Sequence, residues 1–405
     1  MILYCNDDKM KLEKAEKELA LLSEKILTKK QKIRKNIVKS FLKNFHNFFK
    51  LILQKNENKA IYIAVILSGG IGDVLRQKDA VLSLIALLPV AIVDVYGKTY
   101  KSFFSDIKKT RFFFNREIIG CRFVANKYDI VVDYFTSDNV TSGIADLKIN
   151  NLKNDVLKKF ANDFEEIKKE YPYCFNVKNQ YSFQQEAIKN NLKFNAVAKL
   201  TAGIKDFKKI NLALNYRERD ITKFGLNTQD KYITFQHGWG GKGYIPRKTC
   251  WNTKIWATKN WKKLFENIKK ELKNYKIAQV GINSDYIDLV DVNLVGKTSY
   301  DDLCSIIKHS SLHIDTDGCC MHIAEALNVK SVILFGPSDA RYVSYDNNIN
   351  VVSGQCRNCY TLRGWDAHCH RELENRNRQP VCMESISPDF VAKTILRYIG
   401  EGKQE

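Results

Sequence analysis

Two aspartates and a histidine surround a tight turn between two apolar runs. Residues 312–337 read LHIDTDGCCMHIAEALNVKSVILFGP, which predicts a strand, a turn, a helix and a second strand. The first apolar run ends in Asp315 and Asp317, the turn lies at Gly318–Cys320, and His322 falls in the first turn of the helix. Free N–H groups and the helix dipole attract an anion at such a position, so the segment predicts a phosphate-binding turn. The alternative is an ordinary buried turn in which an aspartate caps the helix.

A second turn carries a carboxylate that could accept a proton. The apolar strand Ile61–Leu67 runs into SGGIGD, in which Gly70 and Gly72 permit a sharp turn and close approach to a ligand. Asp73 then begins a helix and is a candidate general base for an attacking hydroxyl, or else a helix cap. Leu75 stands where a dinucleotide fingerprint needs its third glycine, which argues against a nicotinamide enzyme.

A third glycine-rich loop follows the predicted strand Lys231–Phe235. Its sequence, QHGWGGKG, could wrap a phosphate with backbone amides and a lysine. The candidate donor contacts in this loop are His237, Gly238 and Lys242. Lys254 lies downstream in the sequence KIWATKNWKKL.

Composition places limits on the partners. The chain has 405 residues, enough for two domains and an appendage, and a formal charge of +20. This charge indicates an anionic partner, which could be a phosphorylated substrate, a membrane surface or nucleic acid. The first eleven residues do not resemble a secretory signal, and no apolar run reaches about 18 residues. We therefore expect a cytoplasmic protein with reduced cysteines.

The N-terminal region predicts a basic amphipathic helical extension. Residues 29–53 combine an apolar, phenylalanine-rich stripe with a lysine-rich face. Such a helix could lie peripherally on an anionic inner membrane, or it could dock on the protein or on a second subunit of a homo-oligomer. Both interpretations stay open.

Four of the eleven cysteines are spaced like metal ligands near the C-terminus. The pattern is Cys356-x2-Cys359-x9-Cys369-x12-Cys382. Four thiolates can hold zinc or iron tetrahedrally, as a structural clip. The alternative is a set of plain reduced thiols.

Three of these motifs together resemble glycosyltransferase family 9, the bacterial heptosyltransferases. The first is Asp317-Gly-x-x-x-His322-x-Ala followed by a strand that ends in Phe-Gly-Pro. The second is the IGDVL sequence that contains Asp73, and the third is Lys254-x-Trp followed by Trp-x-x-Leu. One departure is Gly318-Cys319, where the family has Ser/Thr-Gly.

The resemblance implies a GT-B fold, in which two doubly wound, Rossmann-like α/β domains face each other across a cleft. We expect an extension at residues 1–58, an acceptor-side domain at 59–229 and a nucleotide-sugar domain at 230–405. Asp73 would be the catalytic base and Lys254 the stabiliser of the leaving diphosphate. The remaining expected donor contacts are Gly70, Gly72, His237, Gly238, Lys242, Gly281, Thr298, Asp317, Gly318, Cys319 and His322.

The resemblance also implies the reaction: inverting transfer of a heptose from ADP-heptose to a hydroxyl of a lipopolysaccharide core, with no metal needed for catalysis. A second hypothesis is a protein heptosyltransferase of the kind that modifies autotransporters, with iron held by the C-terminal cysteines. A third is a non-catalytic basic binding protein. We expect no nucleic acid as a partner, because the aromatic side chains of residues 41–49 lie along one helical face.

Overall fold

The computed structural model describes residues 60–97, 101–113, 127–135, 143–177, 179–237, 254–282, 286–354, 359, 369 and 380–401. The predicted extension at residues 1–58, including the segment 29–53, lies outside the described residues. Within the described part, no helix is both long and apolar enough to cross a bilayer.

The first half of the chain builds a five-stranded sheet. Its strands are β1 (Ile61–Ile66), β2 (Ala91–Tyr96), β3 (Thr110–Phe113), β4 (Ile130–Asp133) and β5 (Asp146–Ile149), in the order β3-β2-β1-β4-β5. The first four are parallel, and β5 is antiparallel to β4. The uninterrupted apolar sequence of β1 is explained by its central position, where every residue is buried.

Four described helices belong to the first half. They are α1 (Ile71–Leu87), α2 (Asp155–Glu170), α3 (Gln180–Lys189) and α4 (Phe194–Thr201). Asn154 caps α2 by accepting the N–H of Leu157. Its apolar residues recur at helical spacing and are buried, while lysines and glutamates cover the other face.

The second half builds a fully parallel six-stranded sheet. Its strands are β6 (Tyr232–Gln236), β7 (Lys276–Val280), β8 (Val292–Asn293), β9 (Leu312–Asp315), β10 (Ser331–Phe335) and β11 (Asn348–Val352). They lie in the order β8-β7-β6-β9-β10-β11, so the direction of winding reverses between β6 and β9. In open parallel sheets, ligands bind beyond the carboxyl ends of the strands at this reversal.

Six described helices accompany the second sheet. They are α5 (Thr258–Glu271), α6 (Tyr300–Lys308), α7 (Cys319–Ala326), α8 (Ala340–Val343), α9 (Val381–Glu384) and α10 (Pro388–Glu401). Both halves are therefore α/β units with Rossmann-like winding, which confirms the predicted fold class. The predicted boundary at 229/230 falls just before β6, and we retain it as a proposal.

The two halves contact each other through the segment that follows β10. Tyr342 of α8 is buried, and its ring packs edge-on against Phe183 of α3 and Phe194 of α4. The Arg76 side chain of α1 donates a hydrogen bond to the carbonyl of Val343, at 2.9 Å. These contacts bring the beginning of α1 towards the beginning of α7.

Candidate active site

Asp73 is held by the turn that precedes α1. Gly69 has φ +80°, and a Cβ at this position would lie 2.2 Å from Oδ2 of Asp73. The N–H of Gly70 donates to the same oxygen at 2.9 Å. The predicted capping interaction is thus present, and it fixes the carboxylate beside the helix N-terminus without burying it fully.

The charge state of Asp73 is set by opposing effects. Burial raises the pKa of the Asp73 carboxyl, and the nearby charges of Arg76 and Lys254 and the Gly70 hydrogen bond oppose this shift. The negative charge of Asp317 raises the pKa further. A carboxylate with a raised pKa is a stronger base than a fully solvated one, which suits it to accept a proton.

The beginnings of α1 and α7 touch at a glycine and a histidine. A Cβ on Gly72 would lie 2.1 Å from Cδ2 and 2.4 Å from Nε2 of His322, so only glycine fits here. Gly72 and Asp73 are consecutive in the first turn of α1. The structure therefore brings the candidate base next to the turn that the sequence predicts to bind phosphate.

That turn is organised by a buried aspartate at the end of β9. Asp315 is completely buried, and its carboxylate accepts the N–H groups of Thr316 at 2.7 Å and Met321 at 3.0 Å. A Cβ on Gly318 would lie 2.6 Å from Oδ1 of Asp315. These contacts start α7 at Cys319, two residues before the predicted start near Met321.

Asp317 lies in the turn with φ +49°, a conformation that aspartate tolerates better than most residues. Its Oδ2 lies 2.7 Å from Nζ of Lys254 and accepts the hydroxyl hydrogen of Ser338 at 2.5 Å. Lys254 is separated from Asp317 by more than sixty residues, and its side chain is 21% exposed. A cation thus lies at the edge of the turn, and its role towards a diphosphate stays a prediction.

His322 is uncharged in this environment. Burial lowers the pKa of its imidazole well below the usual value, and the positive charges of Arg76 and Lys254 lower it further. Its Nδ1 lies 2.6 Å from the hydroxyl of Tyr345. A neutral imidazole can offer an N–H to an anion without adding a full charge.

The other predicted donor residues are more scattered. Cys319 begins α7, and its Sγ lies 3.6 Å from Oε1 of Gln236, at the end of β6. His237 follows β6 but is buried, with Nε2 at 3.3 Å from the hydroxyl of Thr258. Gly281 follows β7 with φ +128° and accepts the N–H of Gly296 at 2.8 Å.

Thr298 is partly exposed between β8 and α6. Gly238 and Lys242 lie outside the described residues. Contacts with the sugar donor remain predictions for all six residues: Cys319, His237, Gly281, Thr298, Gly238 and Lys242.

The predicted cysteine site is only partly described. Cys356 lies outside the described residues, and Cys382 packs against Gly336, where a Cβ would lie 2.9 Å from Sγ. Within the described part of the chain, Cys359 and Cys369 do not join Cys382 in a group with ligand spacing. The four-cysteine site therefore remains a prediction.

A different buried group does have ligand spacing: His313, Asp315 and Cys320, whose candidate ligand atoms all lie within 4.8 Å of one another. Both carboxylate oxygens of Asp315 already accept backbone N–H groups, and Nδ1 of His313 lies 3.0 Å from the hydroxyl of Thr234. These hydrogen bonds satisfy the Asp315 carboxylate and Nδ1 of His313, while Nε2 of His313 is buried without a hydrogen-bond partner among the described residues, 3.7 Å from Oδ2 of Asp315. The bonds made by Asp315 support the start of α7.

Three residues at the site were missed by the sequence interpretation: Arg76, Ser338 and Tyr345. Arg76 lies one helical turn after Asp73, and this spacing could have singled it out. Ser338 and Tyr345 follow the Phe-Gly-Pro sequence, and nothing in their spacing indicates a return to the turn at Asp317.

Residues 173–365 match the family model of glycosyltransferase family 9 (heptosyltransferase). No curated protein matches the chain.

Solved structures share the fold at low sequence identity. The iron-containing dodecameric glycosyltransferase TibC from enterotoxigenic E. coli H10407 has a TM-score of 0.55 and 13% identity, over 85% of this chain and 80% of that chain. TibC in complex with ADP-D-β-D-heptose gives a TM-score of 0.52 and 14% identity, over 84% and 76%. E. coli ADP-heptose LPS heptosyltransferase II has 15% identity over 85% and 100%, with a TM-score of 0.49. The family match over residues 173–365 and the shared fold indicate a glycosyltransferase similar to family 9, the heptosyltransferase family.

Proposed function

We propose that this protein transfers a heptose from ADP-heptose to an acceptor hydroxyl in a single inverting displacement. The observation that carries the proposal is the contact between Gly72 and His322. It sets the candidate base Asp73 beside a turn that can bind a diphosphate. The choice of ADP-heptose is supported by the family match and by the TibC complex, which contains that donor.

In the proposed reaction, Asp73 accepts the proton of the acceptor hydroxyl as its oxygen attacks the anomeric carbon. The bond from this carbon to the diphosphate oxygen breaks as the new glycosidic bond forms, and ADP leaves. The raised pKa of Asp73 favours proton capture, and the hydrogen bond from Gly70 holds the carboxylate in place.

The leaving diphosphate gains negative charge in this step, and Lys254 and the N-terminus of α7 are placed to stabilise it. Lys254 pairs with Asp317. We propose that the diphosphate forms an ion pair with this ammonium group and accepts hydrogen bonds from the first-turn N–H groups of α7. These groups supply positive charge from the protein itself, so we propose a reaction that needs no divalent metal.

Two acceptor classes fit the proposal. A lipopolysaccharide core carries phosphate, and the formal charge of +20 favours such an anionic substrate. A protein acceptor is the second candidate, proposed together with iron at the C-terminal cysteines because TibC, which shares the fold, contains iron. The proposed site for the leaving diphosphate is the same in both cases.

The first experiment is a donor panel read by thermal shift on the full chain. ADP-heptose should raise the unfolding temperature more than ADP-glucose or UDP-glucose at equal concentration, because a ligand that binds only the folded protein stabilises it. Transfer is then followed by mass spectrometry with heptose-free lipopolysaccharide and with a candidate protein. A shift with ADP-heptose no larger than the shift with ADP-glucose or UDP-glucose would refute the proposed donor, and transfer to neither acceptor would refute both acceptor classes.

A further inference from the structure

A chain of hydrogen bonds links the two halves of the protein beneath the proposed site. Nε of Arg76 donates to the hydroxyl of Tyr345 at 3.2 Å, and the same hydroxyl lies 2.6 Å from Nδ1 of His322. Arg76 belongs to α1, whereas Tyr345 follows α8 and His322 belongs to α7. All three side chains are at most 7% exposed, so water competes little for these bonds.

The direction of each hydrogen bond follows from the groups involved. A guanidinium can only donate, so Tyr345 must accept from Arg76. Burial raises the pKa of the Tyr345 hydroxyl, so it keeps its hydrogen. With its oxygen receiving the Arg76 hydrogen, the hydroxyl can direct its own hydrogen towards Nδ1 of His322. A neutral imidazole that accepts at Nδ1 carries its proton on Nε2.

Arg76 is itself held in place by two further contacts. Its Nη2 donates to the carbonyl of Val343 at 2.9 Å, and its guanidinium lies 4.2 Å from the ring centre of Phe194. A guanidinium stacked on one side and hydrogen-bonded on the other has little freedom to turn. The Arg76 guanidinium, which donates the first hydrogen bond of the series, is therefore fixed relative to both halves.

We propose that Arg76 and Tyr345 are positioning residues that hold His322 as the neutral tautomer with hydrogen on Nε2. Nε2 lies on the edge of the ring that faces Gly72, at the junction of α1 and α7. An N–H there attracts an anionic diphosphate, whereas a lone pair would repel it. This consequence for catalysis rests on the proposed sugar transfer, but the tautomer itself does not.

The test is nitrogen-15 NMR of the full chain labelled at histidine, with the His322 signals assigned by their loss in His322→Gln. The wild-type protein should show hydrogen on Nε2 and none on Nδ1. In Tyr345→Phe the ring keeps its packing but loses the hydroxyl, so both tautomers should appear. Loss of one net hydrogen bond should lower kcat about 3- to 10-fold, with a smaller change in KM for the donor.

Tyr232→Phe is the matched control. It removes a buried tyrosine hydroxyl that donates to the carbonyl of Ile306 at 2.6 Å, a contact that does not involve His322. It should lower stability while leaving the tautomer and kcat unchanged.

Hydrogen on Nδ1 of the wild-type His322, or an unchanged tautomer in Tyr345→Phe, would overturn the proposal. An unchanged kcat with a shifted tautomer would overturn its link to the reaction. Failure of all donors, with the expected tautomer observed, would count against the proposed function alone.

Discussion

The contact between α1 and α7 can be tested by adding a single methyl group. In Gly72→Ala the new Cβ would lie 2.1 Å from Cδ2 of His322, far inside the ordinary contact distance. The imidazole cannot simply rotate away, because Tyr345 holds its Nδ1 at 2.6 Å. The clash must therefore be relieved by a shift of one helix start against the other.

The expected cost is that of overpacking a filled site, about 1–3 kcal/mol of the free energy of unfolding. A change of this size corresponds to a factor of about 5 to 150 in an equilibrium constant. Gly70→Ala is the matched control, since its Cβ would meet nothing closer than Oδ2 of Asp73 at 3.9 Å. Gly70 is the N-cap of α1, where alanine is less favourable than glycine, so we expect Gly70→Ala to lower the midpoint denaturant concentration slightly and Gly72→Ala to lower it much more.

A double-mutant cycle tests whether the destabilisation by Gly72→Ala comes from a clash with the His322 ring. In a His322→Ala background the ring is gone, so Gly72→Ala should cost much less than it does in the wild-type protein. Denaturant unfolding of the four proteins, followed by tryptophan fluorescence, gives the coupling energy. An equal cost of Gly72→Ala in both backgrounds would refute the close packing and, with it, the juxtaposition of the proposed base Asp73 and the turn proposed to bind phosphate.

Three further predictions concern the chemistry. Asp73→Asn should lower kcat by at least about 100-fold while ADP still stabilises the protein, as measured by initial rates and thermal shift, because a positioned base contributes about 10²–10⁴. In a pH–rate profile, the acidic apparent pKa of kcat/KM should lie above the usual range of an aspartate, because burial raises the pKa of Asp73. Lys254→Met should raise this apparent pKa further, because the ammonium group lowers the pKa of Asp73, and an unchanged or lower value would contradict this. Protein treated with EDTA and dialysed should keep its transfer rate, and a rate restored only by Mg²⁺ would contradict the metal-independent leaving-group site.

The local parts of the site could be predicted from the sequence because local geometry determines them. The glycines before Asp73 indicate a sharp turn, and Gly69 does adopt a left-handed φ. The strand-turn-helix pattern at 312–326 places His322 in the first turn of α7, as predicted. In each case the residue type is dictated by neighbours within a few positions along the chain.

The long-range contacts could not be predicted because no local pattern encodes them. Arg76 and Tyr345 are separated by 269 positions, and their hydrogen bond depends on how the two halves dock. The packing of α3 and α4 depends on the same docking. Phe183 of α3 and Phe194 of α4 both pack against Tyr342 of α8, which belongs to the other half.

The arrangement of charges explains why a diphosphate is a suitable ligand for this junction. The positive ends of α1 and α7 meet there, and Arg76 and Lys254 add two cations. Helix ends and cations placed together repel one another unless negative groups lie between them. Asp73 and Asp317 supply part of that compensation, and burial keeps His322 neutral so that it adds no further charge. A bound diphosphate would supply negative charge where the positive groups converge. We therefore expect donor binding to offset the effect of Lys254 and Arg76 and so to raise the pKa of His322 towards its usual value. The diphosphate could also replace Asp317 as the partner of Lys254.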